Sequence, residues 1–139
     1  MNTTRLRASV PVALLLLVGG GAVWGGVLDT GVRTVEVLLR YSHFEPDVIT
    51  VEPGETVRFV VHNGDPIDHE FIIGDAAVQR AHERGTESFH APRPGEMTVP
   101  AGATRETTYT FPPAPATLIL GCHLPSHYAY GMRAAITVG

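Results

Sequence analysis

The sequence predicts an all-β domain, built as a sandwich or a barrel. Short segments in which apolar and polar residues alternate recur along the chain after residue 33, as expected of strands with one buried face. Turn residues such as Pro53-Gly54 and Asn63-Gly64-Asp65-Pro66 separate these segments. Several short strands broken by Gly and Pro turns are typical of sandwiches and barrels.

Each strand is predicted from the spacing of its apolar residues. Val35, Val37 and Leu39, for example, lie on one face of the first strand because side chains alternate between the two faces of a sheet. The same reasoning predicts a closing strand at the C-terminus. The predicted strands span residues 34–39, 48–51, 56–62, 69–73, 104–111, 117–122 and 132–138.

One segment between the strands has the signature of a short helix. Asp75 is a good N-cap for a helix that continues through Arg84, and Gly85 can end it. Residues 86–103 are rich in Pro and Gly and show little periodicity, which predicts a long loop. Loops of this length are uncommon in small domains and are often functional.

The first 28 residues predict a targeting segment. Arg5 and Arg7 precede an uncharged stretch from Ala8 to Leu28, with its apolar centre at residues 10–18. Two interpretations remain open, a cleaved signal peptide and an uncleaved N-terminal membrane anchor that would tether the protein. Both place the remaining domain, residues 29–139, outside the cytoplasm, whether in the periplasm, at the cell surface or secreted.

Charge and cysteine content narrow the function. All ten basic residues are Arg, and only eight of them follow residue 28, against 14 acidic residues, so the net charge of residues 29–139 is −6. Nucleic acid is therefore not an expected partner. Cys122 is the only cysteine and cannot form an internal disulfide. A free thiol in an exported domain is reactive unless it is bound to something, and a metal ion is the simplest ligand-bound state for it.

The C-terminal run from Gly121 to Met132 contains a mixed ligand set. Cys122, His127 and Met132 follow one another at five-residue intervals and offer a thiolate, an imidazole and a thioether. Two His and one Cys with a weak axial Met are the ligands of blue copper sites. The best candidate for the second His is His69, at the start of a predicted strand.

These motifs resemble the cupredoxins, small blue copper proteins with a Greek-key β-sandwich. The C-x4-H-x4-M spacing is similar to the rusticyanin type, and the resemblance covers roughly residues 33–139. It implies one copper ion held by His69, Cys122 and His127, with Met132 as the axial ligand. Glu70 departs from the family pattern, since many members have Asn or Ser directly after the upstream His.

The remaining histidines suggest weaker hypotheses. His123 gives the run a further resemblance to the last copper segment of multicopper oxidases, but Gly121 replaces one of the required His residues and the chain has no H-x-H pair. His123 is expected behind the ligands or at the surface. A second copper site formed by His82, His90 and Met97 is an alternative to their being solvated loop residues. Structural or exposed positions are expected for His43 and His62.

Two functions fit the four proposed ligands. The first is a one-electron carrier that cycles between Cu(I) and Cu(II), and the second is a copper-binding protein for resistance, storage or delivery. No catalytic triad, phosphate loop or paired catalytic carboxylates are visible, so an enzyme is not expected. A monomer is expected, with a redox partner such as a cytochrome or an oxidase. That partner is expected to dock on an apolar patch around His127, formed by Leu124, Pro125, Tyr128, Ala129 and Tyr130.

Overall fold

The computed structural model describes residues 31–85 and 92–139. The predicted targeting segment, residues 1–28, and His90 lie outside the described residues. Within the described part of the chain, no helix is long and apolar enough to cross a membrane. The elements are β1 Arg33–Arg40, β2 His43–Glu45, β3 Val48–Val51, β4 Thr56–Asn63, β5 His69–Gly74, α1 Ala76–Glu83, β6 Glu96–Val99, β7 Thr104–Thr110, β8 Ala116–Gly121 and β9 Arg133–Val138.

The strands form two sheets that pack face to face, which confirms the predicted β-sandwich. One sheet has the strand order β2-β1-β4-β7, and the other has the order β3-β9-β8-β5-β6. The pairs β1–β4 and β3–β9 are parallel, and the other neighbours are antiparallel. Strands that are adjacent in a sheet but distant in sequence explain how the upstream His and the C-terminal loop can meet.

Alternating side chains from both sheets fill the core. Of the predicted inward residues in β1 and β4, all are buried except Val35, which is partly buried, and β5, β8 and β9 contribute their own inward side chains from the opposite sheet. Phe59 packs against Phe71 across the sheets with 5.3 Å between ring centroids, and against Phe111 at 6.3 Å. The core residues include Val37, Leu39, Val57, Phe59, Val61, Phe71, Ile73, Leu118, Leu120 and Ile136.

Two short strands were missed by the sequence analysis. β2 has three residues, and β6 lies inside the segment that was expected to be a loop. Met97 in β6 pairs with Phe71 in β5 and is buried in the core, so the expectation that it lies on a solvated loop was wrong. Four residues flanked by Pro and Gly are too few to show a period, and only the pairing with β5 defines this strand.

Helix α1 forms as predicted and lies against β5 and β8. The Asp75 carboxylate accepts hydrogen bonds from the backbone N–H groups of Ala77 and Val78, at 2.8 and 2.9 Å. The helix ends at Glu83 with Arg84 as its C-cap, and the next residue, Gly85, has a φ of +65° that suits glycine. A Cβ on Gly74 would come within 2.5 Å of Val78, so the helix can approach β5 this closely only because Gly74 has no side chain.

The N-cap predicts a pH effect on stability. Hydrogen bonds from Val78 N–H and Ala77 N–H lower the pKa of Asp75 below its ordinary value of 3.8. This stabilisation is therefore present above that pH and is lost as the pH falls through the lower folded-state value. We expect Asp75→Asn, which keeps a capping side chain but removes the charge, to weaken the pH dependence of the unfolding free energy below pH 3.8. Urea denaturation of the metal-free protein measures it, and identical acid limbs would contradict it.

Candidate metal centre

Strand pairing brings the predicted ligands to one end of the second sheet. Ile72 of β5 pairs with Gly121 of β8, and Gly121 in turn pairs with Arg133 of β9. The start of β5, the end of β8 and the start of β9 therefore meet at the same end of the sheet. His69 is the first residue of β5, while the loop of residues 122–132 joins β8 to β9.

Three of the predicted ligands converge on one point. The Nδ1 atoms of His69 and His127 are 3.3 Å apart, and the Cys122 Sγ lies 3.2 Å from His127 Nδ1 and 3.9 Å from His69 Nδ1. A point equidistant from the three atoms lies about 2.0 Å from each, close to the range in which nitrogen and sulfur donors bind a metal ion. Among the described residues this is the one group of three or more His, Cys, Asp or Glu that could hold a metal.

The donor chemistry of this group fits copper. His69 and Cys122 are fully buried, while His127 is partly exposed. Burial raises the pKa of the Cys122 thiol, and a metal ion that binds the thiolate must displace that proton. Burial, followed by the neighbouring His69, lowers the pKa of His127, which favours the neutral imidazole that a metal requires. A thiolate with two imidazoles is the trigonal ligand set of blue copper.

Backbone hydrogen bonds close the loop between Cys122 and Met132. Met132 N–H donates to His127 O at 3.0 Å, and Cys122 N–H donates to Met132 O at 3.3 Å. Gly131 adopts a φ of +99°, a conformation that glycine tolerates and that turns the chain toward β9. Met132 is buried, with 1% of its surface exposed. Its assignment as the axial ligand stays a prediction.

Glu70 links β5 to the ligand loop through two hydrogen bonds. Its backbone N–H donates to Cys122 Sγ at 3.3 Å. Its carboxylate accepts a hydrogen bond from His123 N–H at 3.0 Å. The side chain that departs from the family pattern therefore supports the backbone that carries Cys122. Hydrogen bonds around a ligand are a known means of tuning a metal.

A buried carboxylate behind His69 was missed by the sequence analysis. Asp65 Oδ2 lies 2.8 Å from His69 Nε2, on the side of the ring opposite the other donors. Asp65 also accepts hydrogen bonds from Tyr41 N–H at 2.7 Å and Ser42 N–H at 2.8 Å. The sequence analysis treated Asp65 as a turn residue because Asn63-Gly64-Asp65-Pro66 is a strong turn signal. A carboxylate four residues before a candidate ligand was the available clue.

His123 occupies the layer between the ligand loop and helix α1. Its Nε2 lies 2.7 Å from Gln79 Oε1, and its ring stacks on Tyr128 with 4.5 Å between centroids. Burial, and secondarily His82, lower the pKa of His123 to about 4. A Cβ on Gly121 would lie 2.5 Å from Gln79 Oε1 and 2.9 Å from the Tyr128 ring. A His at this position, as in the multicopper oxidase pattern, therefore has no room.

The other histidines do not extend this group. His82 lies on α1 and stacks on His123 with 5.5 Å between ring centroids. Met97 is occupied in core packing, and His90 lies outside the described residues, so a second copper site at His82, His90 and Met97 gains no support. His43 is exposed, and His62 pairs on the surface with Glu36 at 2.6 Å, as expected.

Comparison with known proteins agrees with this geometry. A sequence profile of copper-binding proteins of the plastocyanin/azurin family matches residues 36–139. The chain belongs to this family. The predicted cupredoxin fold, with its copper cofactor, is therefore confirmed for the domain that the structure describes. The matched range spans the positions of all four predicted ligands.

Two sequence relatives and one solved structure resemble this cupredoxin. The copper-resistant cuproprotein CopI of Rubrivivax gelatinosus is 38% identical over 110 residues, which are 76% of this chain and 66% of that protein. CopI of Pseudomonas aeruginosa is 31% identical, and the aligned region covers 76% of this chain and 76% of that protein. The structure of auracyanin B matches with a TM-score of 0.64 and 25% identity, over 81% of this chain and 93% of that one. This cupredoxin thus spans just under two thirds of the Rubrivivax relative.

Proposed function

We propose that this cupredoxin carries one electron at a time between protein partners outside the cytoplasm. Bound copper supplies the Cu(I)/Cu(II) couple, and no substrate chemistry of the chain itself is needed. The observation that carries the proposal is the placement of three donors in a mostly buried group of which one member, His127, reaches the surface. His69, Cys122, His127 and Met132 would hold the ion, which would supply the redox couple there.

The surface around His127 supports docking of a partner. Tyr130 is 87% exposed, and Pro125 and Ala129 are also exposed, whereas Leu124 and Tyr128 are partly buried. A small exposed apolar surface next to a metal ligand suits a short-lived complex, which needs fast dissociation more than affinity. We propose that a redox protein docks there, that electrons pass through the His127 ring, and that the protein works as a monomer.

A second function, copper handling for resistance, is favoured by the names of the sequence relatives. Both CopI proteins are called copper-resistant cuproproteins. In that function the same ligands hold copper as cargo and release it to an acceptor. The predicted export segment serves either function, as a cleaved signal or as a tether.

One experiment with two readouts tests these functions. Electron self-exchange between the Cu(I)- and Cu(II)-loaded proteins is measured by NMR line broadening, with a Cu(I) chelator added in a parallel sample. We expect Tyr130→Glu to slow self-exchange at least about tenfold without changing the visible spectrum. The reason is that the introduced carboxylates of the two docking copies would repel each other. Val48→Glu is the control, since Val48 is a similarly exposed apolar residue on β3 outside the patch.

The outcomes separate the two functions. Copper that stays bound through repeated oxidation and reduction in the presence of the chelator supports the carrier. Copper that passes quickly to the chelator in the Cu(I) state favours handling and argues against the carrier. Equal self-exchange rates in the wild type and Tyr130→Glu contradict the proposed docking surface.

A further inference from the structure

We propose that Asp65 is a positioning residue that aims the Nδ1 atom of His69 at the copper and favours Cu(II). This inference rests on the proposed copper site and adds a residue that neither the family pattern nor the ligand motif assigns. It starts from the position of the carboxylate. Asp65 Oδ2 lies 2.8 Å from His69 Nε2, while His69 Nδ1 faces Cys122 and His127.

The first step of the argument concerns the tautomer of His69. A neutral imidazole carries a proton on only one of its two ring nitrogens. A hydrogen-bond acceptor placed beside one nitrogen favours the tautomer that carries the proton there. An ionised carboxylate can only accept, so Asp65 stabilises the proton on Nε2 and leaves the Nδ1 lone pair free for the metal. Since His69 is fully buried and Asp65 is 8% exposed, water does not compete effectively for this bond.

The second step concerns the rigidity of Asp65 itself. Its two carboxylate oxygens accept hydrogen bonds from the backbone N–H groups of Tyr41 and Ser42. Its own N–H donates to Asn63 Oδ1 at 3.0 Å. Tyr41 and Ser42 have φ values of +54° and +57°, a left-handed conformation that non-glycine residues rarely adopt. The turn between β1 and β2 is thus folded around the carboxylate, which holds it in place before any metal binds.

The third step concerns charge. The Asp65 carboxylate accepts hydrogen bonds from Tyr41 N–H and Ser42 N–H and faces His69 Nε2, and donors placed in this way favour its ionised form. A buried negative charge one imidazole ring away from the metal increases the donor strength of that ring. It therefore stabilises the more highly charged Cu(II) ion more than Cu(I), because the electrostatic interaction grows with the charge of the ion.

Two variants of Asp65 and one control test the proposal. Asp65→Asn keeps a side chain of the same shape but removes the charge, and Asp65→Ala removes the hydrogen bonds as well. Asp68→Asn is the matched control, because Asp68 also precedes His69 but is exposed and accepts its hydrogen bond from Ala101 N–H at 2.9 Å. We expect Asp65→Ala to weaken Cu(II) affinity about 10- to 100-fold, as for other residues that orient a metal ligand.

The redox measurement separates positioning from a purely structural role. We expect Asp65→Asn to weaken Cu(II) binding about tenfold more than Cu(I) binding, which raises the potential by about 59 mV for one electron. Thermal unfolding of the metal-free variants records any loss of the β1–β2 turn separately. Unchanged Cu(II) affinity and potential in the asparagine variant, with the wild type showing its thiolate-to-copper absorption band, would overturn the proposal. A wild type without that band would instead count against the copper site itself.

A measurement on the unaltered protein keeps the proposal testable if the alanine variant does not fold. Long-range 15N–1H NMR spectra of the metal-free protein near pH 8 distinguish the two tautomers of His69. We expect the proton on Nε2, where Asp65 accepts it. A proton on Nδ1 would overturn the proposal, because the nitrogen that faces Cys122 would then be blocked.

Discussion

Replacing Cys122 by Ser is expected to abolish the intense visible absorption of the Cu(II)-loaded protein. The absorption arises from charge transfer between the thiolate and copper, and Cys122 is the chain's only thiol. The hydroxyl of Ser stays protonated at neutral pH and is a poor copper ligand, so the remaining imidazoles of His69 and His127 would hold Cu(II) weakly. We expect Cu(II) affinity to fall at least about 100-fold. Removing a residue that only orients a metal ligand already costs up to about 100-fold, and Cys122 is itself a proposed ligand.

Visible and EPR spectra of residues 29–139 loaded with Cu(II) measure this effect. The wild type is expected to show the strong band with narrow copper hyperfine splitting, and Cys122→Ser is expected to lose both. His62→Gln is the control for copper held on surface histidines, since His62 is half-exposed and paired with Glu36. A pale wild-type spectrum that survives Cys122→Ser but changes in His62→Gln would show that the ligand assignment is wrong and would leave copper handling as the function to pursue.

The candidate ligands could be singled out from the sequence because their chemistry and spacing are both unusual. Cys122, His127 and Met132 lie within one loop, so no knowledge of the fold is needed to place them together. His69 is distant in sequence, but it begins a strand, and the register of β5 against β8 brings it to the same end of the sheet. The donor atoms of both His residues and Cys122 meet as the resemblance implied.

The residues around the ligands could not be predicted because their roles depend on tertiary contacts. Gln79 looks like an ordinary polar residue on a short helix, yet it is 1% exposed and its side-chain N–H groups donate to Ile72 O and Ile119 O. Asp65 lies in a turn signal and serves as a turn residue, and only its spacing of four residues before His69 hints that its carboxylate also reaches that ring. A polar residue whose partner is 40 residues away leaves no local pattern in the sequence.

The same limit applies to β6. The segment Glu96–Val99 alternates polar and apolar residues over four positions only, which is too short to establish a period within a Pro- and Gly-rich stretch. Glu96 is acidic and yet buried, so its residue type alone does not place it in a strand packed against the core. Arg93 Nε donates to Glu96 Oε2 at 2.6 Å, a contact that only the folded chain supplies.

Replacing Asn63 by Ala is expected to destabilise the protein more than any exposed substitution, because the Asn63 side chain joins three segments near the metal centre. Its Nδ2 donates to the carbonyl oxygens of Ile67 at 2.8 Å, Val99 at 2.9 Å and Pro100 at 3.2 Å. Its Oδ1 accepts from Asp65 N–H at 3.0 Å. Asn63 is 3% exposed, so Ala would remove these hydrogen bonds from a site that water reaches poorly, although Pro100 O would still accept from Ala103 N–H at 3.0 Å.

Unpaired buried polar groups cost about 1–3 kcal/mol each, so we expect Asn63→Ala to lower the unfolding free energy of the metal-free protein by about 3 kcal/mol. That loss is a large part of the unfolding free energy of a small domain, which is typically about 5–15 kcal/mol. Urea denaturation measures it, with the neighbouring His62→Ala as control. His62 bonds only exposed groups on the outer face, and its removal is expected to cost less than about 1 kcal/mol. Equal losses in the two variants would show that Asn63 does not join the segments. A large loss confined to Asn63→Ala, together with weaker Cu(II) binding, would show that the loop bearing Asp65 and leading to His69 is held in place from β4.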